Sequence, residues 1–403
     1  MKKKYIVFGL FTVSSAFGFS QPIVNGYPKK KISKSSIQIV YAQYLQDGNH
    51  SAITGGTGTE KLQVYAPELS IQLEVDSLNS YSVDAGIDVI SSASMDNIDF
   101  VKSSASKLSN RAYLTAGYER KGKQNRNLSF GGKGYFSIES AYLSLGGTLS
   151  LNIMSQNKSG EFSAELEGYF DDLRWGRLNG EHPLQLVYPA ELRYRHWFDI
   201  YRRESYNLNL SWQQTINRRM VLAFLPGLSY QQGLLSTPYH RVFFKDSSLK
   251  VENIPRTRLK IPLGIQLNSF IADRYILRSY YRFYWDDFGI RAHTLSLELA
   301  VKINPAFTLT PLLRWYTQTG ASFFKPYREA DLEQVFYSSD YDLSAFSSYE
   351  AGIEARFAGF GSAAHPVHLN SLGLRYSFYK RSDGLYAHML TLLLDLDTRK
   401  KDR

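Results

Sequence analysis

Read for polarity alone, the chain alternates. From Arg274 to Asp286 one parity carries Tyr275, Leu277, Ser279, Tyr281, Phe283 and Trp285, while the other carries Ile276, Arg278, Tyr280, Arg282, Tyr284 and Asp286. The next stretch sets Leu295, Leu297, Leu299, Val301 and Ile303 against Thr294, Ser296, Glu298, Ala300 and Lys302. A period of two is the signature of a strand with two unlike faces, and helical stripes of period 3.6 are scarce throughout. About sixteen such segments are predicted, with 14 or 18 strands also open: 35–45, 62–76, 80–90, 110–120, 126–138, 141–154, 160–171, 205–216, 219–232, 257–271, 274–286, 290–303, 307–319, 347–358, 367–380 and 384–396. Residues 185–198 read either as a further strand or as loop, and Pro311 sits inside a segment where it removes a ladder donor.

The connections sort themselves. Those at 156–158, 217–218, 272–273 and 304–305 are short, and those at 46–61, 91–109, 172–204, 233–256 and 320–346 are long. Short turns alternating with long loops, joining strands of roughly ten residues, describe an all-β antiparallel transmembrane β-barrel. The two short hairpins near 287–289 and 381–383, and the longer 359–366, depart from that rhythm. A soluble sandwich or β-helix would use strands nearer five or six residues and hide one face behind a second sheet.

Composition agrees. Aromatics make up 14 % of the chain, with 29 Tyr and 24 Phe, more than a soluble core requires but apt for a girdle with rings in lipid and hydroxyls at the headgroups. Lys2–Lys4, an apolar run over 5–19, and the small Gly18 and Ser20 mark residues 1–20 as a secretory signal. A short periplasmic segment (21–34), the barrel (35–397) and a basic tail (398–403) complete the expected plan. The absence of cysteine excludes disulfides, thiolate metal sites and CxxCH haem attachment. A formal charge of +10 would suit nucleic acid, but an exported chain meets anionic headgroups and solutes first.

Candidate chemistry gathers in "YYRFYWDDFGIRAHTLSLELAV" (280–301). Asp287-Phe288-Gly289 spells a kinase metal motif, but no GxGxxG or HRD accompanies it and the context is all-β. Asp286 and Asp287, as strand neighbours, point to opposite faces, so the pair reads first as a turn and second as a rim contact. If Phe283 pairs with His293, then Arg282 faces Thr294 and Arg278 faces Glu298, placing Arg278, Arg282, Glu298 and Lys302 on the lumen wall. Strand counting brings Trp285, Asp286, Asp287, Arg291, His293, Tyr316, Gln318, Tyr239, His240 and Arg241 to the outer rim as candidate contacts. "GGTGTE" (55–60) lacks the GK[ST] of a phosphate loop, and Asp331, Glu333, Asp340 and Asp342 match no calcium loop and read as a solvated acidic stretch. Neither HExxH nor GxSxG occurs.

The stretch Tyr281–Leu295, YRFYWDDFGIRAHTL, resembles the YRxYWDD[WF]GIRxHTL signature of a Gram-negative outer-membrane family catalogued as a domain of unknown function. "VDAGIDVISSAS" (83–94), "SYQQGLLSTPYHRVFF" (229–244) and "LLRWYTQTGASFF" (312–324) are similar to its other blocks, in the same order. The resemblance implies an outer-membrane barrel whose gene neighbours include flavin transferases and thioredoxin-like proteins. Asp88–Ser94 also looks like the Dxx[ST][GS]A[ST] pattern on which such a transferase places FMN, with Ser94 as acceptor. The expected role is a channel for small solutes, with no enzymatic activity. The alternative is a non-conducting scaffold docking envelope lipoprotein or redox partners.

Overall fold

The structure, a computed structural model, describes residues 34–91, 108–139, 142–173, 201–237, 240–359 and 367–399. The expected signal, the tail from Lys400, Tyr239, Ser94 and all of 185–198 lie outside these residues. In chain order the strands are β1 (Lys34–Asp47), β2 (Leu62–Glu74), β3 (Asn79–Ser91), β4 (Leu108–Lys121), β5 (Leu128–Glu139) and β6 (Leu143–Met154). Then come β7 (Gly160–Asp172), β8 (Arg202–Asn217), β9 (Met220–Gly233), β10 (Arg241–Phe243), β11 (Leu249–Val251) and β12 (Thr257–Ile271). The series ends with β13 (Tyr275–Asp286), β14 (Arg291–Lys302), β15 (Phe307–Gln318), β16 (Phe346–Phe357), β17 (Val367–Arg381) and β18 (Tyr386–Arg399).

All but β10 and β11 join one closed antiparallel barrel of sixteen strands, in which each pairs with its sequence neighbour and β18 returns to β1. Closure runs from Lys34↔Arg399 to Asp47↔Tyr386. In hydrocarbon an unpaired backbone group costs several kcal/mol, so a ring without edges is the arrangement that lets strands cross a bilayer. Every predicted segment corresponds to a barrel strand. The extra hairpin β10–β11 belongs to a loop and was not anticipated.

The two faces differ as the alternation requires. Large apolar side chains stand exposed on the strands, among them Leu149 at 67 %, Tyr349 at 65 % and Leu313 at 60 %. A soluble sandwich would bury these. The opposite parity carries the buried polar set, among them Glu139, Asp171, Arg203, Arg258, Asp286, Gln318 and Arg381. Proline is accommodated by giving up one ladder. The β14–β15 pairing lapses between Glu298↔Leu312 and Val301↔Leu309, and Pro311 stands in that gap while still facing Ile353 on β16. Pro67, Pro226 and Pro262 interrupt one neighbouring ladder each in the same way.

Short connections lie at one end, several tied by side chains; Asp76, for example, accepts from the Leu78 and Asn79 amides at 2.7 and 2.8 Å. The opposite end carries the long loops 48–61, 234–256 and 319–345. The hairpins at 287–290 and 382–385 are short exceptions there, as read from the sequence.

Candidate functional site

The β13–β14 hairpin has the anticipated register: Phe283↔His293, Arg282↔Thr294 and Arg278↔Glu298. Arg278 Nη1 lies 3.3 Å from Glu298 Oε2, and Glu298 Oε1 accepts from Arg375 Nη2 at 2.9 Å. Arg375 in turn reaches Glu354 at 3.7 Å, so the pair extends into a chain of ions across β13–β17. Arg278, Arg282, Glu298 and Lys302 share the parity opposite the exposed Tyr281, Leu295 and Leu297. Lys302 also stands over the Phe270 ring at 5.5 Å.

The DFG segment is a turn. Gly289 adopts φ 96°, a value that favours glycine, and Asp286 Oδ1 accepts from the Ile290 amide at 2.9 Å. Asp286 Oδ2 takes Arg258 Nη2 at 2.6 Å, Arg258 Nε at 3.0 Å and the Tyr284 hydroxyl at 2.9 Å. The carboxylate is wholly buried, whereas Asp287 is exposed and uses only its backbone amide, toward Leu259 O at 3.2 Å. The two acids therefore share no substrate.

The expected rim is not one surface. Trp285, Arg291 and His293 have outward parity; His293 Nδ1 lies 2.7 Å from the Tyr281 hydroxyl and its ring packs near Phe283. Asp286, Tyr316 and Gln318 turn inward and are buried: Tyr316 donates to Gln318 Oε1 at 2.5 Å, and Gln318 donates to the Asp342 and Ser344 carbonyls at 2.9 and 2.6 Å. Arg241 lies on β10, within the loops, donating to the His240 carbonyl at 3.2 Å. What these inward residues contact is a folded cap.

That cap was missed from the sequence. Loops 234–256 and 319–345 join through the bridges Phe244↔Ala330 and Asn253↔Tyr337 and enclose a dry core of Val242, Phe244, Ala330 and Tyr337, each no more than 5 % exposed. A second cluster, including Leu235, Ile254, Phe288, Ala321 and Phe323, packs onto the inward Tyr284, Ala292, Tyr316 and Phe346 of β13–β16. Arg381 stacks on Phe346 at 3.9 Å and pairs with Asp342 at 2.6 Å. The acidic stretch is thus not simply solvated, since Asp342 and Asp340 serve the cap.

Within the cap, His240, Glu252 and Asp340 converge. His240 Nδ1 lies 3.5 Å from Glu252 Oε2 and 3.6 Å from Asp340 Oδ2. Glu252 is held from behind by Ser338 Oγ at 2.5 Å on Oε1 and the Thr237 amide at 3.0 Å on Oε2. Burial pushes the imidazole toward its neutral form, but Glu252 and Asp340 outweigh it and raise the His240 pKa. Burial raises Glu252, and His240, Ser338 and Thr237 more than offset it, so its pKa falls.

One sequence signal went unread. Tyr281-x-Phe283-Tyr284…Gly289-Ile290-x-Ala292-His293 repeats as Tyr376-x-Phe378-Tyr379…Gly384-Leu385-x-Ala387-His388. The second hairpin reproduces the outward contact, Tyr376 Oη to His388 Nδ1 at 2.8 Å, and the positive φ at glycine, 102°. At the position of buried Asp286 it places buried Arg381. Both hairpins plant an inward charge beneath the cap, of opposite sign.

The lumen walls are also unlike. On β2–β7, Glu68, Asp84, Glu119, Glu161, Glu165 and Glu167 turn inward with Lys133, alongside the paired Asp88–Arg111. Eight ring positions away, β12–β17 turn Lys260, Arg278, Arg282, Arg314, Arg356 and Arg375 inward, against Glu298, Glu350 and Glu354. A cavity of about 380 Å3 at the short-turn end is lined by Ser36, Gln38, Ser82, Asp84, Glu119 and Lys133, among others.

The sequence matches, over residues 23–364, the family described as "Protein of unknown function (DUF3570)". No curated protein matches it. Among solved structures it is similar to OccD3 (OpdP) of Pseudomonas aeruginosa, at 9 % identity and a TM-score of 0.44, covering 93 % of this chain and 92 % of that one. A bacterial polysaccharide outer membrane secretin gives 10 % and 0.47, covering 91 % and 98 %. A BenF-like porin from Pseudomonas fluorescens Pf-5 gives 8 % and 0.42, covering 91 % and 99 %. Likeness this remote says nothing of what the barrel passes or binds.

Proposed function

The chain belongs to this family, and we propose that it is a non-enzymatic outer-membrane channel for small polar solutes, narrowed at its outer end by the cap. The observation that carries the reading is the contrast of faces around a closed ring: apolar side chains exposed outside, carboxylates and guanidiniums inside. An apolar belt holds such a barrel in lipid, and the Gram-negative outer membrane is a bilayer that houses such barrels. Sixteen strands reach the width at which a lumen holds water. The acidic wall facing a basic one favours solutes that carry both signs of charge, because each end finds its counter-charge across the lumen. The test is conductance in planar bilayers. Discrete steps are expected, growing larger when residues 326–336 of the cap are replaced by a short Gly/Ser linker.

A second reading is supported by the cap itself. A dry core at the outer end suits a sealed barrel that docks partners, such as components of an envelope redox system. No current from either the wild type or the shortened cap would favour it, together with copurification of a lipoprotein or redox protein. FMN on Ser94 belongs to that reading. Intact mass after co-expression with a flavin transferase tests it, an unchanged mass ending the idea.

A further inference from the structure

The convergence of His240, Glu252 and Asp340 needs an explanation that hydrogen bonding does not provide. Separations of 3.5 and 3.6 Å exceed the roughly 2.7–3.2 Å of a sound N–H···O bond, and the buried His240 Nδ1 has no hydrogen-bond partner. A buried donor or acceptor left in this state is costly, and the two carboxylates bring two negative charges into the pocket against at most one positive charge on the imidazole. Yet the three groups are held, not loose. Glu252 has only 3 % of its side chain exposed, with Ser338 and the Thr237 amide fixing its two oxygens. Asp340 has its Oδ1 engaged by the Asp342 amide at 3.0 Å, leaving Oδ2 as the atom facing His240.

We propose that these three side chains are the protein ligands of a divalent first-row transition cation, which locks the two loops of the cap together. One donor atom from each residue falls in a group whose members all lie within 4.8 Å of one another. Imidazole nitrogen and carboxylate oxygen bind zinc at about 2.0–2.2 Å, so adjacent tetrahedral ligands stand about 3.4 Å apart. The two His240 edges are already near that length without an ion. Charge agrees too: two carboxylates and a neutral imidazole sum to −2, which a divalent ion cancels and a single proton does not. Ser338 and Thr237 orient Glu252 as outer-shell partners do at metal sites. Imidazole directs the choice away from calcium and magnesium, which take oxygen. Because His240 and Glu252 come from one loop and Asp340 from the other, the ion ties together segments about 90 residues apart in sequence.

The experiment uses the full-length barrel in detergent, stripped of metal, with Zn2+ as probe. Calorimetry is expected to give one strong site per chain, unaffected by millimolar Ca2+. Glu252→Gln and His240→Gln should each weaken it at least 10-fold, while Asp331→Asn, on the same loop as Asp340 but paired with Lys245, leaves it unchanged. Zinc-edge X-ray absorption should show one imidazole with oxygen ligands, and Zn2+ should slow proteolysis within 319–345. Absence of a strong wild-type site overturns the proposal whatever the variants do. So does binding that survives both substitutions, that calcium displaces, or that shows no imidazole.

Discussion

Asp286 and Arg258 form an enclosed ion pair in the barrel, and the effect of disrupting it is calculable. The carboxylate is fully buried and receives four hydrogen bonds, two from Arg258 at 2.6 and 3.0 Å, one from Tyr284 and one from the Ile290 amide. Only 6 % of the Arg258 side chain is exposed, its guanidinium lying 4.6 Å from the Phe288 ring. Asp286→Asn keeps one oxygen, enough for the Ile290 amide on Oδ1 but not also for Tyr284 on Oδ2, and removes the charge, leaving Arg258 an uncompensated buried cation at a cost of about 3–5 kcal/mol. Arg258→Met strands the carboxylate, with a cost of the same order. Together the two changes remove both charges and keep the acceptor, so the double variant should recover about 2–3 kcal/mol relative to the sum of the singles. Urea unfolding in lipid vesicles, followed by tryptophan fluorescence, measures the cycle. Single variants within about 1 kcal/mol of wild type, or strict additivity, would refute the reasoning by showing that water or a neighbouring charge already serves Arg258.

Other outcomes follow from the same geometry. Arg381→Met removes a buried guanidinium that pairs with Asp342 and Asp383 and donates to the Tyr341 carbonyl, and should lower stability by about 3–5 kcal/mol with faster proteolysis of the cap. Gly289→Ala and Gly384→Ala should each cost about 1–2 kcal/mol from positive φ alone, because an added methyl meets nothing closer than 3.6 Å at the first and nothing within 4 Å at the second. Equal shifts in urea midpoint check this. Glu298→Gln, in a partly exposed pair, should cost less than about 1 kcal/mol, yet it takes a counter-charge from Arg278 and leaves Arg375 with Glu354 alone. The reversal potential in asymmetric KCl should then move toward anion selectivity.

The barrel was legible because lipid and water demand unlike faces, and a period of two records that demand residue by residue. The β13–β14 register was legible for a second reason: a tight turn at Gly289 leaves little freedom in pairing, so Arg278 could be set opposite Glu298 from spacing alone. The cap left no such trace. Its core residues, Val242 on the three-residue β10 and Phe244, Ala330 and Tyr337 in irregular segments, follow no period, and their partners come from distant loops. Asp286 looked like a turn residue because Arg258, which buries it, stands on β12 and shares no local motif with it. Asp340 likewise passed for one acid among several until the fold carried it to His240 and Glu252. The Tyr…His repeat at 281–293 and 376–388 was open to reading, and comparing the chain with itself would have found it.

Closure of the ring by β1 and β18 governs assembly as well as architecture. Those strands pair over fourteen registers although more than 350 residues separate Lys34 from Arg399. Every other ladder joins successive strands of the ring, only β9 and β12 having the β10–β11 hairpin between them, and can zip up as soon as its two strands exist. The final seam has the largest loop entropy to overcome and nothing local to nucleate it. Until it forms, the molecule is a curled sheet with two live edges, prone to adding strands from other chains. The slow step of folding therefore lies at the seam, which a fluorophore on β1 and a quencher on β18 would time directly.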